Sequence, residues 1–371
     1  MTTKADLRAQ HPFGLLGVPE EKIARIHATS GTKGKPTVVA YTAADLRTWA
    51  ELAARMLVAA GCRRGEVWYV ASGYGLFTGG LGAHYGVERV GATVVPASSG
   101  NTARLLGLMA DIRPAGIHCI PSYMLRVAEV AEESGVDPRE LGLRHGSFGG
   151  ETWTEPLRRR IEDLFGLFAC DVYGLSEVYG PGVAYECQAQ DGLHLAADHI
   201  LAEIVDPVSG EAVPHGAVGE LVLTTLTKQA MPLLRYRTGD LTRFLPGACA
   251  CGRTLPRIAR IAGRSDDMLV IRGVNLHPSE VERILLAFPE LGAQYRPVVD
   301  RPGAMDQLTL EVELAEPGGP KGMTAEALAG AIGRQLKDLL GVSAAIHLCL
   351  PGTLPRAEGK ARRVLDLRST T

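Results

Sequence analysis

An α/β fold is predicted: a large N-terminal α/β domain with a parallel sheet, an antiparallel β subdomain and a small α+β C-terminal domain. Three observations predict it. Strand-like apolar runs alternate with helix-spaced segments through the first half of the chain, the pattern of βα units with helices on both sheet faces. After Leu195 the helical spacing stops, and short runs are joined by turn signals such as Asp206-Pro207-Val208-Ser209-Gly210, as in an antiparallel sheet. From about Gly263 a separate strand–helix–strand–strand–helix–strand series begins.

The elements follow in order. Lys22 to Ala28 leads into a Gly/Thr-rich turn, and Thr37 to Tyr41 reads as a strand. Asp45 to Ala60 has helical spacing, with Thr42 as N-cap. Val67–Ala71 and Ala92–Pro96 read as buried strands, followed by a helix over 102–111. Ile117–Ile120 and 122–134 repeat strand then helix, and a further short strand precedes Phe148. Glu203–Asp206, Gly219–Thr225 and Leu241–Leu245 are the antiparallel strands. The last unit reads as strand 268–271, helix 279–288, strands 294–299 and 308–314, helix 324–340 and a final strand 345–350, with the polar stretch 316–322 as a surface loop.

Composition narrows the function. The 371 residues are 46% hydrophobic and 22% charged with a formal net charge of −2, so nothing in the charge balance points to nucleic acid or an anionic membrane. A chain of this length makes two or three domains and needs no disulfide or metal to fold. No apolar run approaches the ~20 residues that span a bilayer, and Met1–Glu21 has no apolar signal core. Seven cysteines, an odd number in a long chain, point to a reducing compartment, and the expectation is a soluble, cytoplasmic globular protein.

Thr29-Ser-Gly-Thr-Lys-Gly-Lys-Pro36 packs two glycines, three hydroxyls and two lysines between strand-like stretches. Glycines let backbone N–H groups approach a polyphosphate, and hydroxyls and lysines complement its charge. The Walker A spacing is absent, and by itself the loop is equally a solvated turn.

It does not stand by itself. Tyr173-Gly-Leu-Ser-Glu-Val-Tyr-Gly-Pro-Gly182, Arg235-Tyr-Arg-Thr-Gly-Asp240, Gly263-Arg-Ser-Asp-Asp-Met268 and Gly359-Lys360 follow in order. Together they resemble the core motifs of the adenylate-forming enzymes: acyl-CoA synthetases, peptide-synthetase adenylation domains and luciferases. Tyr74-Gly-Leu-Phe-Thr-Gly-Gly-Leu-Gly-Ala-His-Tyr85 and Arg272-Gly-Val-Asn275 look specifically like the phenylacetate–coenzyme A ligases. The resemblance runs from about Ile23 to Arg368. It implies an adenylation core over 1–263 that binds ATP and acid, and a swivelling lid over 264–371. Family members usually carry a longer segment before the phosphate loop and a Thr where this chain has Lys33, whose ammonium either adds a phosphate contact or points to solvent.

The resemblance implies two half-reactions: a carboxylate attacks the α-phosphorus of ATP to give acyl-AMP and pyrophosphate, then coenzyme A attacks the acyl carbonyl. Ser30, Thr32 and the Gly31 and Gly34 backbone would hold the β- and γ-phosphates, and Glu177 would ligate Mg²⁺. Asp240 would take the ribose hydroxyls, and Arg264 the ribose or α-phosphate. Gly149-Gly150-Glu151-Thr152 with Tyr173-Gly174 would frame the adenine. Lys360 matches the lysine that binds the α-phosphate and the attacking carboxylate, and Asp266 the hinge. Ser72, Phe77, Ala83, Gly150, Val172 and Pro181 would line the acid pocket. Ser72 stands where the family commonly has Tyr, Gly150 for Ala and Val172 for Ile, and all three changes enlarge the cavity unless Tyr74 or Tyr179 swings in. A homodimer is expected from the resemblance. Handing acyl-AMP to an amine, hydroxyl or carrier protein is the alternative outcome, and a catalytically dead ATP-binding relative the bland one.

Cys249-Ala-Cys251 places two thiols on a tight turn, with Cys187 and His194 in an earlier stretch. A Cys₃His set suits structural zinc. Buried, unliganded cysteines with a surface histidine are the other reading, and Cys62, Cys119, Cys170 and Cys349 read as core.

Overall fold

The computed structural model describes residues 1–29, 36–98, 100, 102–265, 269–271, 274–276, 278–300, 306–320, 322–356 and 364–367. Ser30, Gly31, Thr32, Lys33 and Gly34 of the phosphate loop, Asp266 and Lys360 lie outside the described residues. The chain forms two units, Met1–Glu151 with Ile161–Ala262, and Thr152–Arg160 with Gly263–Thr371.

The strands of the first unit are β1 (Ile23–Ala28), β2 (Val38–Thr42), β3 (Val67–Val70), β4 (Thr93–Val95), β5 (Gly116–Cys119), β6 (His145–Gly149), β7 (Phe168–Tyr173), β8 (Ala184–Tyr185), β9 (Leu193–Leu195), β10 (Ile200–Val205), β11 (Gly219–Thr225), β12 (Tyr236–Thr242), β13 (Phe244–Leu245) and β14 (Arg257–Ile258). Its helices are α1 (Lys4–Ala9), α2 (Ala43–Ala60), α3 (Gly79–Val90), α4 (Thr102–Ile112) and α5 (Pro121–Glu133), and α6 (Glu155–Phe165) connects β6 to β7. Nine strands pair in the order β13-β14-β9-β8-β7-β6-β5-β3-β4. The half from β4 to β7 is parallel, and from β7 through β8, β9 and β14 to β13 every pair is antiparallel. Strands β10, β11 and β12 pair antiparallel in chain order.

Several sequence expectations need correction. The strand expected over 37–41 does not join the parallel sheet; β2 pairs antiparallel with β1 as a two-stranded ribbon. The stretch from Thr29 to Thr37 is shorter than the dozen or so residues a parallel crossover requires. The strand over 92–96 is not buried: β4 is the sheet edge, and Thr93 is exposed. The single strand over 241–245 is two, β12 ending at Thr242 and β13 beginning at Phe244.

Helix α3 has no counterpart in the sequence reading, because Gly79, Gly80, Gly82 and Gly86 depress helix propensity. Its helicity comes from packing on α2. A Cβ on Gly82 would fall 2.6 Å from the Trp49 ring and from Pro181 Cδ, and one on Gly86 would fall 2.7 Å from Ala53 Cβ. Glycine at these positions lets the helices approach. Gly86→Val is expected to lower stability by about 1–3 kcal/mol through overpacking, read from the urea midpoint; an unchanged midpoint would mean the helices can separate at no cost.

Thr42 does cap α2: its side chain accepts from Asp45 N, and Asp45 accepts in return from Thr42 N, forming a capping box. Tyr41, Trp49 and Leu52 of β2 and α2 share one buried cluster with Val178, Tyr179, Leu221 and Tyr236, so β2, α2 and the antiparallel strands are welded around one core.

The second unit contains β15 (Gly263–Arg264), β16 (Leu269–Ile271), β17 (Val274–Leu276), α7 (Pro278–Leu285), β18 (Leu291–Asp300), β19 (Gln307–Leu314), α8 (Ala325–Leu340), β20 (Ala345–Cys349) and β21 (Leu365–Asp366). Its main sheet runs β20-β19-β18-β21, so β20 is not the last strand; β21 pairs in parallel with β18. Leu328, Ile332 and Leu336, one helical face of α8, are buried in the same core as Leu310 and Val312 of β19. Thr324 caps α8 by accepting from Ala327 N, and Gly341 ends it in the left-handed region.

Candidate active site

Strands β3, β5, β6 and β7 are parallel neighbours, so the residues that follow them emerge along one edge of the sheet. In open α/β sheets ligands bind outside the carboxyl ends of the strands. Ser72 follows β3, Ile120 follows β5, Gly149 ends β6 with Gly150 and Glu151 beyond it, and Tyr173 ends β7 with Gly174 beyond it. The fold thereby gathers expected adenine and acid residues from separate parts of the chain.

Gly149 sits opposite Val172 in the β6–β7 register, and a Cβ on it would fall 2.2 Å from the Val172 carbonyl oxygen. Gly150 takes φ +85°, which disfavours any side chain, so its lack of a methyl has a backbone reason besides volume. Glu151 Oε1 accepts from Ser122 N (2.7 Å) in the first turn of α5, which fixes the carboxylate there. The Tyr173 hydroxyl donates to Asp240 Oδ2 at 2.5 Å, joining the adenine and ribose candidates, and Asp240 N donates to Thr238 Oγ1. Thr152 and Arg264 belong to the second unit, the latter on β15.

Glu177 lies in the turn after β7 and is 5% exposed. Its Oε1 is 3.7 Å from Lys4 Nζ and 3.4 Å from the Tyr236 hydroxyl. A buried carboxylate is a donor of the kind Mg²⁺ takes, its other ligands coming from water and nucleotide phosphates, and here the Lys4 ammonium pairs with it. The turn itself is gripped by groups that sequence reasoning missed. The Tyr41 hydroxyl donates to the Ser176 carbonyl (2.9 Å), Lys228 Nζ donates to the Glu177 carbonyl (2.9 Å), and Thr78 Oγ1 lies 3.1 Å from Ser176 Oγ. Burial pushes the Lys228 ammonium down to about 7, against the upward pull of the Asp45 and Glu177 carboxylates.

Of the acid-pocket candidates, Ala83 and Val172 lie in one buried apolar cluster, and Pro181 is buried beside Gly82. Phe77 is 48% exposed, whereas Tyr74 packs against the Ala83–Val172 cluster. The Tyr74 hydroxyl lies 3.2 Å from His84 Nδ1, and burial raises its pKa. Tyr179 is wholly buried and donates to Asp45 Oδ1.

The four thiol and imidazole candidates converge. Ligand atoms of Cys187, His194, Cys249 and Cys251 all lie within 4.8 Å of one another. Strand β9 makes the junction, pairing with β8 beside Cys187 and with β14 just after the Cys249–Cys251 turn. Cys187 Sγ is 3.6 Å from Cys249 Sγ, and Cys251 Sγ is 3.5 Å from His194 Nε2. Ideal tetrahedral zinc with ordinary bond lengths gives edges of about 3.8 Å (S–S) and about 3.6 Å (S–N), so the donor set fits. Four protein donors would leave no open position on a zinc held there, as in structural rather than catalytic sites. Burial opposes ionisation of Cys251, but hydrogen bonds from Arg253, Cys249 and Cys187 outweigh it and bring the thiol to about 7, whereas burial pushes Cys187 up to about 12.

The chain is similar to known proteins over almost its whole length. The AMP-binding enzyme family matches residues 6–227, and the AMP-binding enzyme C-terminal domain matches residues 273–368. A phenylacetate-coenzyme A ligase of Aromatoleum evansii is 51% identical over 371 residues, covering 99% of this chain and 84% of the relative. The Escherichia coli (strain K12) phenylacetate-coenzyme A ligase is 48% identical over 373 residues, with 99% and 84% covered. Among solved structures, a 2-hydroxyisobutyryl-CoA ligase in its postadenylation state aligns with a TM-score of 0.93 at 34% identity, covering all of this chain and 80% of that one. The chain belongs to the AMP-binding, adenylate-forming enzymes and, within them, to the phenylacetate–coenzyme A ligase family; it is an AMP-forming acid–thiol ligase.

Proposed function

We propose that the protein uses ATP and Mg²⁺ to convert an aromatic carboxylic acid, phenylacetate-like or a hydroxy- or amino-substituted benzoate, into its acyl-AMP, and then into its coenzyme A thioester. The observation that carries this is the gathering of Gly149–Glu151, Tyr173 with Asp240, and Glu177 around the carboxyl ends of β6 and β7 in a chain of this family. An acid carboxylate oxygen attacks the α-phosphorus and pyrophosphate leaves; the coenzyme A sulfur then attacks the acyl carbonyl and AMP leaves. Positioning and charge neutralisation dominate the first step. Asp240, oriented by Tyr173, takes the ribose, Gly149–Thr152 and Gly174 frame the base, and Arg264, Lys360 and the Ser30–Gly34 loop carry the phosphates. Bound Mg²⁺ neutralises phosphate charge, and Glu177 holds it. The seven free cysteines support a cytoplasmic location, and the family supports a homodimer. Among the described residues, no helix is long and apolar enough to cross a membrane.

Acid-dependent ATP–pyrophosphate exchange followed by coenzyme A consumption tests the reading. Exchange without thioester formation would transfer the acyl group to another acceptor; no exchange with any aryl acid would end the proposal.

The acid pocket carries a sharper expectation. Ser72, half-buried after β3, leaves room where the family resemblance implies a ring and adds a hydrogen-bonding hydroxyl. Substituted benzoates or arylacetates are expected to exceed phenylacetate in kcat/KM, and Ser72→Tyr should shift the ratio back by about tenfold or more. Phenylacetate proving the best acid on a broad panel would mean that Tyr74 already fills the space.

A further inference from the structure

Lys228 is a buried cation for which the adenylation chemistry has no assigned use. It is 4% exposed, yet no carboxylate lies within 4.0 Å of its Nζ among the described residues. Its partners are the Glu177 carbonyl at 2.9 Å and the faces of Tyr41 and Tyr179, with ring centroids at 4.4 and 5.8 Å. Aromatic faces and one carbonyl compensate an ammonium only partly for the water it loses. An apolar side chain of similar length would fill the same slot without that penalty.

The surroundings force the ammonium inward. Asp45, 1% exposed at the start of α2, accepts from Gln229 N (2.7 Å) and Ala230 N (2.9 Å), which nails the 228–230 segment to that helix. The same carboxylate accepts from the Tyr179 hydroxyl and from Thr42 N. Lys228 is thus aimed by a rigid frame at one point, the backbone of Glu177. Tyr41, whose ring face carries the ammonium, donates its hydroxyl to the preceding carbonyl, that of Ser176. Two consecutive carbonyls of the turn after β7 are therefore held by a stacked Tyr41–Lys228 pair.

We infer that Lys228, braced by Tyr41, is a positioning residue that sets the Glu177 carboxylate for the metal–nucleotide complex. The inference rests on the reading of Glu177 as the Mg²⁺ ligand. Its Nζ donates to the carbonyl of the ligand residue, and that hydrogen bond fixes the backbone from which the carboxylate projects. Only the ATP-consuming half-reaction requires that geometry.

The test is Lys228→Met in the full-length enzyme, which keeps the stem and removes the charge. The thermal midpoint is expected to stay near wild type, because an incompletely compensated buried charge is lost. In acid-dependent pyrophosphate exchange, the Mg²⁺ concentration for half-maximal rate should rise at least tenfold. Thioester formation from supplied acyl-AMP should remain within about twofold of wild type. Unchanged Mg²⁺ dependence, or equal loss in both half-reactions, would overturn the inference. Should Lys228→Met fail to fold, Tyr41→Phe keeps the ring and removes only the bond to Ser176, and the same split, smaller in size, is expected. Glu177→Gln separates the two layers of the argument. If it raises the Mg²⁺ requirement while Lys228→Met and Tyr41→Phe do not, the positioning role is wrong. If it leaves the requirement unchanged, Glu177 is not the metal ligand and the role of Lys228 falls with it.

Discussion

Lys360→Ala is expected to abolish acyl-AMP formation while leaving coenzyme A transfer from supplied acyl-AMP within a few-fold of wild type. The lysine is a compact point charge whose proposed place is at the α-phosphate and the attacking carboxylate, where two anions must be brought together. Removing one such preorganised charge costs on the order of 10²–10³ in rate, and here the ground-state repulsion adds to it. The second half-reaction has no such anion pair, since the thiol attacks an acyl carbonyl that is already activated. The described chain ends this stretch at Arg356, which makes a two-pronged ion pair with the buried Glu313 of β19, at 2.8 and 2.9 Å, and Leu354 N donates to the same carboxylate. Loss of activity should therefore come without loss of fold. Single-turnover measurements of each half-reaction check the expectation, and equal loss in both would defeat the assignment of Lys360 to one of them.

Purified protein is expected to carry about one zinc per chain, and Cys249→Ala is expected to lose it together with much of its thermal stability. Metal binding to a site formed only in the folded chain is folding energy, with apparent values of roughly 10–16 kcal/mol in small zinc domains. Here the four ligands join β8, β9 and the β13–β14 turn, which a large sheet also holds together, so only part of that energy is at stake. A fall in the melting midpoint of order 10 °C follows from about 3–5 kcal/mol in a domain of this size. Because the thiols must be deprotonated to bind, the metal should be released as pH falls, and a chelator should reproduce the mutant's midpoint. Metal-free protein with full stability would make the cluster a set of ordinary core thiols.

Much of the site is legible in the amino-acid sequence, for a definite reason. The phosphate-loop stretch, Tyr173–Gly182, Arg235–Asp240 and Gly359-Lys360 are short contiguous runs, so the motifs that carry the family resemblance can be read locally. The Tyr173–Asp240 hydrogen bond spans 67 residues, and no local pattern encodes it. The same holds for Cys187 and Cys249, 62 residues apart, whose convergence is only one of two readings that the sequence allows. Lys228 is invisible there for a different reason: Thr227-Lys228-Gln229 is a polar stretch that reads as exposed loop, whereas Asp45 fastens the backbone so that the ammonium faces inward.

The sequence by itself determined the family, the order of the motifs and those elements whose signals are local. The Thr42 cap of α2, the helix over 324–340 and strand β11 over Gly219–Thr225 all depend on residues close to one another in the chain. Tertiary structure alone decided that the glycine-rich segment from Gly79 is helical, that β2 leaves the parallel sheet for a ribbon with β1, and that Tyr74 rather than Phe77 packs against the Ala83–Val172 cluster. For the helix and for Tyr74 the deciding energy is burial against partners in other elements, which outweighs local propensities of about 1 kcal/mol per residue, whereas the ribbon follows from the short connection between β1 and β2.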